Sequence, residues 1–158
     1  MNQINHFLTS FIFLYVFFIE KVTIIEIIIF SLIFGVLIDL NQLIGRKMGK
    51  PSKHTRTWIE EPFGLILIGI PIGIILSLVK KEYLFLTIIP FGLHILLDYV
   101  TIHEVSPFAP FSKKNINMGF FRSNPPPSWY SGKEKGIPEN FFLILNIIIV
   151  IIIARIII

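Results

Sequence analysis

The chain has 158 residues, of which 54% are hydrophobic, with a mean hydropathy of +0.78 and a formal net charge of +4. Such a composition offers too little polar surface for a water-soluble domain, and the length allows one domain of four or five spanning helices of about 20 residues each. The absence of cysteine excludes disulfides and thiolate metal sites. Lys and Arg lie mainly in two loops rather than on one amphipathic surface, so no nucleic-acid partner is expected.

The apolar runs predict an all-α fold, a polytopic transmembrane bundle of about five helices that forms a single integral membrane domain, 1–158. The predicted helices cover residues 4–19, 22–38, 62–79, 83–99 and 140–158. The first apolar run rises only about 20 Å against a hydrocarbon core of about 30 Å, so it crosses only with the help of the preceding polar residues or a thinned membrane. Pro71 and Pro90 each predict a kink inside a helix.

Two polar loops, 39–61 and 100–139, separate the predicted helices. Each loop contains five Lys or Arg residues. Because positive charge in loops favours the cytoplasmic side, we expect an integral protein of the plasma membrane with both loops in the cytoplasm.

Four polar residues at helix ends are separated by even numbers of crossings, so all four are expected at one face of the membrane: His6, Asp39, His94 and Asp98. His94 and Asp98 are four residues apart and project from the same side of a helix. They can bind one divalent ion together if other ligands complete the site. Asp39 and His6 are the candidates for those other ligands. In the alternative interpretation, these residues only hydrogen-bond to one another or lie at the membrane interface.

The segment 53–62 places cations, hydroxyls and acids directly before a helix. Arg56, with Thr57 and Lys53, is suited to gripping a phosphate, and the helix N-terminus adds oriented N–H groups. The segment therefore predicts a site for an anionic head group. Alternatively, its charges only set the orientation of the chain and contact anionic lipids.

The order of these motifs resembles a known family. The motifs are an N-terminal His6, the acidic Asp39 that closes an early helix, a His/Arg/Thr loop from His54 to Thr57, and a helix with His94-x-x-x-Asp98 before a proline- and phenylalanine-containing loop at 107–112. This arrangement resembles the YdjM-like family of membrane-bound, metal-dependent hydrolases. The resemblance covers most of the chain through short motifs, and it implies hydrolysis of a phosphoester with a divalent metal ion, zinc or another.

The sequence departs from the family pattern at several positions. Asn41 and Gln42 stand where the family has a second Asp and a following His, and His54 is the single histidine of its loop. Either His103 and Glu104 supply the missing ligands, or the metal site is degenerate.

We therefore expect His94, Asp98 and Asp39 to bind the metal, together with His6 or His103. The predicted general bases are His54, Glu60 and Glu61, while Lys53, Arg56 and Thr57 would bind the phosphate. Membrane lipids are the expected partners, and a lipid or lipid-linked phosphate is the favoured substrate, because it is already present at that depth.

Two other functions fit the same sequence. In the first, the protein is a small transporter or ion-binding protein that uses Glu26, His94 and Asp98 as a relay. In the second, it is a non-catalytic membrane scaffold whose loops bind a partner or anionic lipid.

Overall fold

A computed structural model describes residues 2–40, 58–101, 108, 111–112, 118, 120–122 and 136–157. Within these residues the chain forms five helices, which confirms the predicted all-α class and helix number: α1 (Gln3–Phe18), α2 (Ile24–Gly35), α3 (Pro62–Ser77), α4 (Tyr83–Val100) and α5 (Glu139–Ile157). The predicted helix 22–38 ends earlier than expected, at Gly35, and a 3₁₀ turn, Leu37–Asp39, follows it. A second 3₁₀ turn, Trp58–Glu60, lies in the predicted loop 39–61. Two residue pairs of the second loop form a small parallel sheet, β1 (Phe121–Arg122) with β2 (Ile137–Pro138).

Helices α1, α2 and α4 pack against one another in the centre, while α3 packs on α4 and α5 packs on α1. The apolar core of the three central helices includes Leu14, Ile27 and Leu86, whose side chains are fully buried. Among the described residues, α4 is the one helix that is long and apolar enough to cross a membrane, and α1 and α3 are shorter apolar helices.

The start of α2 is fixed by a capping box. The hydroxyl of Thr23 accepts a hydrogen bond from the N–H of Glu26, and the Glu26 carboxylate accepts one from the N–H of Thr23 at 2.6 Å. The same carboxylate is 3.1 Å from Nζ of Lys80 and accepts a hydrogen bond from the hydroxyl of Tyr83. These contacts join the beginning of α2 to the beginning of α4.

Helix α3 contains a wide turn where the sequence predicts a kink. Leu65–Gly69 is a π-helical segment, and Pro71 follows it in the first turn of the next α-helical stretch. Proline has no N–H to donate and its ring collides with the preceding turn, so a wider turn accommodates it.

Two glycines one turn apart allow α3 to approach α4 closely. A Cβ atom at Gly69 would lie 2.8 Å from Cδ1 of Phe91, and one at Gly73 would lie 3.1 Å from Cδ1 of Leu84. Small residues at this spacing are typical of helix contacts in membranes. The contact fixes α3 against the helix that contains His94 and Asp98.

Candidate metal centre

Four polar side chains meet inside the bundle at the end where α2 and α4 terminate. We call His6, Asp39, His94 and Asp98 the inner cluster. Both histidines are fully buried, and the two aspartates are 7% and 3% exposed. The structure thus brings together four of the five residues that the sequence nominated as metal ligands, and they come from three separate segments of the chain.

Asp39 reaches the cluster because the chain changes its helical form. Helix α2 ends at Gly35, and the 3₁₀ turn Leu37–Asp39 follows. In this turn the carboxylate of Asp39 is buried, whereas the side chains of Leu37 and Leu40 are 45% and 48% exposed. The change of helix type therefore directs the acidic side chain inward and its apolar neighbours outward.

The imidazole of His94 is held in one orientation by a backbone group. Its Nδ1 lies 2.9 Å from the carbonyl oxygen of Gly35, which accepts the hydrogen when Nδ1 is protonated. The Nε2 atom then presents its lone pair to the cluster, 3.3 Å from Oδ1 of Asp39 and 3.9 Å from Oδ2 of Asp98. Among the described residues, Nε2 has no partner at hydrogen-bonding geometry.

His6 lies against His94 with the two rings stacked, their centroids 4.2 Å apart and their planes 24° apart. Its Nε2 is 3.2 Å from Oδ1 of Asp98. Neither ring nitrogen of His6 forms a hydrogen bond of acceptable geometry with any residue that the structure describes. Buried polar atoms in that state cost free energy, so a ligand that accepts their lone pairs would stabilise the site.

The donor set fits a divalent metal ion. One ligand atom each from His6, Asp39 and His94 can be chosen such that all three lie within 4.8 Å of one another. Imidazole nitrogen and carboxylate oxygen bind zinc and similar ions at about 2.0–2.2 Å, so ligand atoms at this separation can reach one ion after small adjustments. A buried group of His6, Asp39 and His94 could therefore hold a metal ion.

Electrostatics at the cluster favour the ionised form of Asp39. Burial opposes its charge, but the adjacent imidazole of His94 outweighs burial and holds the pKa of Asp39 below its ordinary value. An ionised carboxylate is the form that binds a cation.

Close packing of α1 against α2 sets the position of His6. A Cβ atom at Gly35 would lie 2.7 Å from Oγ of Ser10 and 3.4 Å from the backbone oxygen of His6. A larger residue would require Oγ of Ser10 to rotate away and Cβ of Ser10, at 3.2 Å, to move by a few tenths of an ångström. Gly35 thus has two roles at the site. Its lack of a side chain allows α1 to approach α2, and its carbonyl oxygen contacts Nδ1 of His94.

The predicted general bases Glu60 and Glu61 are buried, at 0% and 2% exposure. The turn Trp58–Glu60 packs against the turn Leu37–Asp39, which places Glu60 on the same side of the bundle as Asp39. Gly64 keeps this region compact, because a Cβ atom there would overlap the carbonyl of Ile59. Neither glutamate belongs to the group of three ligands. The other nominated residues lie outside the described residues: Lys53, His54, Arg56, Thr57 and His103.

Sequence reasoning missed the polar contacts between α1 and α5. The N–H of Asn2 donates to Oε2 of Glu139 at 3.2 Å, and Nδ2 of Asn5 donates to the backbone oxygen of Glu139 at 3.4 Å. Seven residues further along α5, Nδ2 of Asn146 donates to Oγ1 of Thr9 at 3.2 Å. The available signal was Asn146 itself, a polar exception in an Ile-rich helix. These contacts hold α5 against the helix that contains His6.

In comparisons with known proteins, no family model matches the chain, and neither a curated protein nor a solved structure is significantly similar to it. Support for a function therefore comes from the geometry of the inner cluster.

Proposed function

We propose that the protein is an integral membrane hydrolase that uses a divalent metal ion, bound by the inner cluster, to cleave a phosphoester. The observation that carries this proposal is the pair of buried imidazoles, His6 and His94, whose Nε2 atoms face carboxylates but form no hydrogen bond of acceptable geometry among the described residues. A satisfied structural cluster would have paired these atoms.

The surface of the helices supports a membrane location. Large apolar side chains point outward along the bundle: Phe17 is 63% exposed, Ile25 65% and Ile75 63%. Exposed apolar patches of this extent are rare on soluble monomers. In the proposed arrangement the five helices span the plasma membrane, and the loops 39–61 and 100–139 lie on its cytoplasmic side, where parts of them contact the bilayer.

The protein residues would hold the ion and orient the reaction. A bound divalent ion supplies Lewis acidity and lowers the pKa of a water molecule toward neutrality. His94, oriented by Gly35, and His6 donate nitrogen lone pairs, while Asp39 and Asp98 balance the positive charge. Water would attack phosphorus, the phosphorus–oxygen ester bond would break, and the leaving oxygen would take up a proton. The predicted general bases are still His54, Glu60 and Glu61. The predicted phosphate ligands are still Lys53, Arg56 and Thr57.

The contacts of Glu26 favour the hydrolase over the transporter. A relay across the membrane needs Glu26 to face the same cavity as Asp98. Instead, Glu26 pairs with Lys80 and Tyr83 at the beginning of α4, whereas Asp98 lies near the end of that helix. A scaffold function needs no buried histidine pair, so the inner cluster also disfavours that alternative.

Elemental analysis and hydrolysis assays on the purified protein in detergent test the proposal. We expect a stoichiometric divalent metal that is lost in His94→Gln, and hydrolysis of phosphomonoesters or phosphodiesters that stops on chelation and in Asp98→Asn. Glu20→Gln is the matched control, because it neutralises an exposed carboxylate in the turn after α1, at the other end of the bundle. Hydrolysis that survives both chelation and Asp98→Asn would overturn the proposal.

A further inference from the structure

In the turn before α3, the acidic side chains are buried and the large apolar side chains are exposed. Trp58 and Ile59 are each 38% exposed, whereas Glu60 and Glu61, the next two residues, are 0% and 2% exposed. In water, carboxylates are rarely buried and large apolar side chains are normally covered. The opposite arrangement is expected where the surroundings of the turn are apolar.

The same arrangement recurs in each segment that supplies the inner cluster. Apolar side chains adjacent to the cluster residues point outward, and we call the full set the apolar collar: Ile4, Leu37, Leu40, Trp58, Ile59 and Leu96, which are between 38% and 57% exposed. Among the residues that the structure describes, the polar atoms of the cluster are therefore enclosed at a level where these apolar side chains face outward.

An aromatic series extends the collar on the side of α3. The ring of Trp58 contacts that of Phe63 edge-on at a centroid distance of 6.1 Å, and Phe63 contacts Phe111 edge-on at 5.2 Å. Phe111 is 81% exposed. The series continues onto the outer face of α3, where Ile66 and Leu67 are 55% and 50% exposed. Tryptophan favours the level where lipid head groups meet acyl chains.

We propose that lipid acyl chains cover this collar and that the substrate is a phospholipid or lipid-linked phosphate that reaches the inner cluster laterally from the bilayer. This inference rests on the proposed hydrolase function for its substrate, but not for its lipid contact. The phosphate would lie toward Asp39 and His94, and the acyl chains would pack on Trp58, Phe63 and Phe111. A water-soluble phosphoester has no acyl chain with which to bury these apolar side chains.

Tryptophan fluorescence in vesicles tests the lipid contact without any enzymatic assay. The chain has two tryptophans, so Trp129→Phe leaves Trp58 as the single indole. In vesicles of phosphatidylcholine with brominated acyl chains, we expect strong quenching of Trp58 and protection from aqueous iodide. Quenching by iodide, with none by the brominated chains, would overturn the inference.

The substrate is tested with the metal-loaded full-length protein in the same vesicles without bromine. We expect long-chain phosphatidic acid to be cleaved at least several-fold faster than glycerol 3-phosphate, with Trp58→Ala lowering kcat/KM for the lipid alone. Leu78→Ala, at an 85% exposed apolar position outside the collar, is the matched control. Equal cleavage of both esters would overturn lateral access and leave the hydrolase standing. Cleavage of neither monoester, and of no phosphodiester such as phosphatidylglycerol or glycerophosphoglycerol, with Trp58 quenched by lipid, would overturn the hydrolase and leave the lipid contact standing.

Discussion

Nδ1 of His94 lies 2.9 Å from the carbonyl oxygen of Gly35, so that α2 orients the imidazole that α4 contributes to the inner cluster. Metal-binding histidines usually donate their second ring N–H to such a group, which fixes the tautomer and directs the other nitrogen at the ion. His6 has no comparable partner among the described residues. The two histidines are therefore unequal, and His94 is the more preorganised of them.

Replacing Gly35 by alanine should damage both the packing and the site. The new methyl group would displace Oγ of Ser10 and press against Cβ of Ser10, which tightens the contact between α1 and α2. We expect a loss of about 1–3 kcal/mol of stability, typical of an overpacked core, together with weaker metal binding. Thermal unfolding in detergent and metal titration measure the two effects.

Gly92→Ala is the control for that change, because its methyl group would meet only Cδ2 of Leu65 at an ordinary 3.9 Å. Alanine there should leave metal binding intact and stabilise the helix by about 0.5–1 kcal/mol. Equal effects of the two substitutions would contradict the assigned role of Gly35.

Asp39→Asn should weaken metal binding while keeping the size of the side chain. The change removes a negative charge 3.3 Å from Nε2 of His94. Since even the loss of an outer partner of a metal ligand costs roughly 10–100-fold in affinity, we expect at least that reduction. Isothermal titration with the metal measures it, and Glu20→Gln, at an exposed carboxylate, should leave the affinity unchanged. An Asp39→Asn protein with the original affinity would show that Asp39 is not a ligand.

Metal should stabilise the folded protein in proportion to its binding. An ion that binds only the native state adds about 2.7 kcal/mol at a concentration 100 times its dissociation constant. We expect the unfolding temperature of the metal-free protein to rise on titration with the ion and to fall again on chelation. His94→Gln should abolish the rise, and a rise of the same size in that variant would place the ion elsewhere.

The hydrogen bond between Asn146 and Thr9 should contribute a small, measurable coupling between α5 and α1. Nδ2 of Asn146 donates to Oγ1 of Thr9 at 3.2 Å in a buried contact. Such bonds in membrane proteins average about 0.6 kcal/mol and reach about 1.7 kcal/mol. A double-mutant cycle of Asn146→Leu and Thr9→Val, followed by unfolding in detergent, measures it. Additive effects of the two substitutions would mean that the bond contributes nothing.

The sequence predicts the helices well because long apolar runs bounded by polar turns are a local signal. The even number of crossings between His6, Asp39 and His94 also predicts their common end of the bundle, and the structure brings them together. Neither argument needs knowledge of how the helices pack. Both follow from the length of the runs and the direction of the chain.

The rotation of each helix about its axis is a tertiary property and was not predictable. The stacking of His6 on His94 depends on how closely α1, α2 and α4 approach, which Gly35 sets through contacts far apart in sequence. The side chain of Asp39 points inward because the chain changes to 3₁₀ geometry. The sequence Leu-Ile-Asp does not predict that change. For the same reason, the pairing of Glu26 with Lys80 was not expected.

The capping box at Thr23 has a mechanical consequence when it is taken together with the Gly35 carbonyl. Glu26 joins the first turn of α2 to α4 through Tyr83, and nine residues later Gly35 joins the last turn of α2 to His94. Sliding of α2 along α4 would break both the contacts of Glu26 and the hydrogen bond between Gly35 and His94. The two helices are therefore held together at both ends, and we expect the adjustment that binds an ion to come from α1, the helix that contains His6.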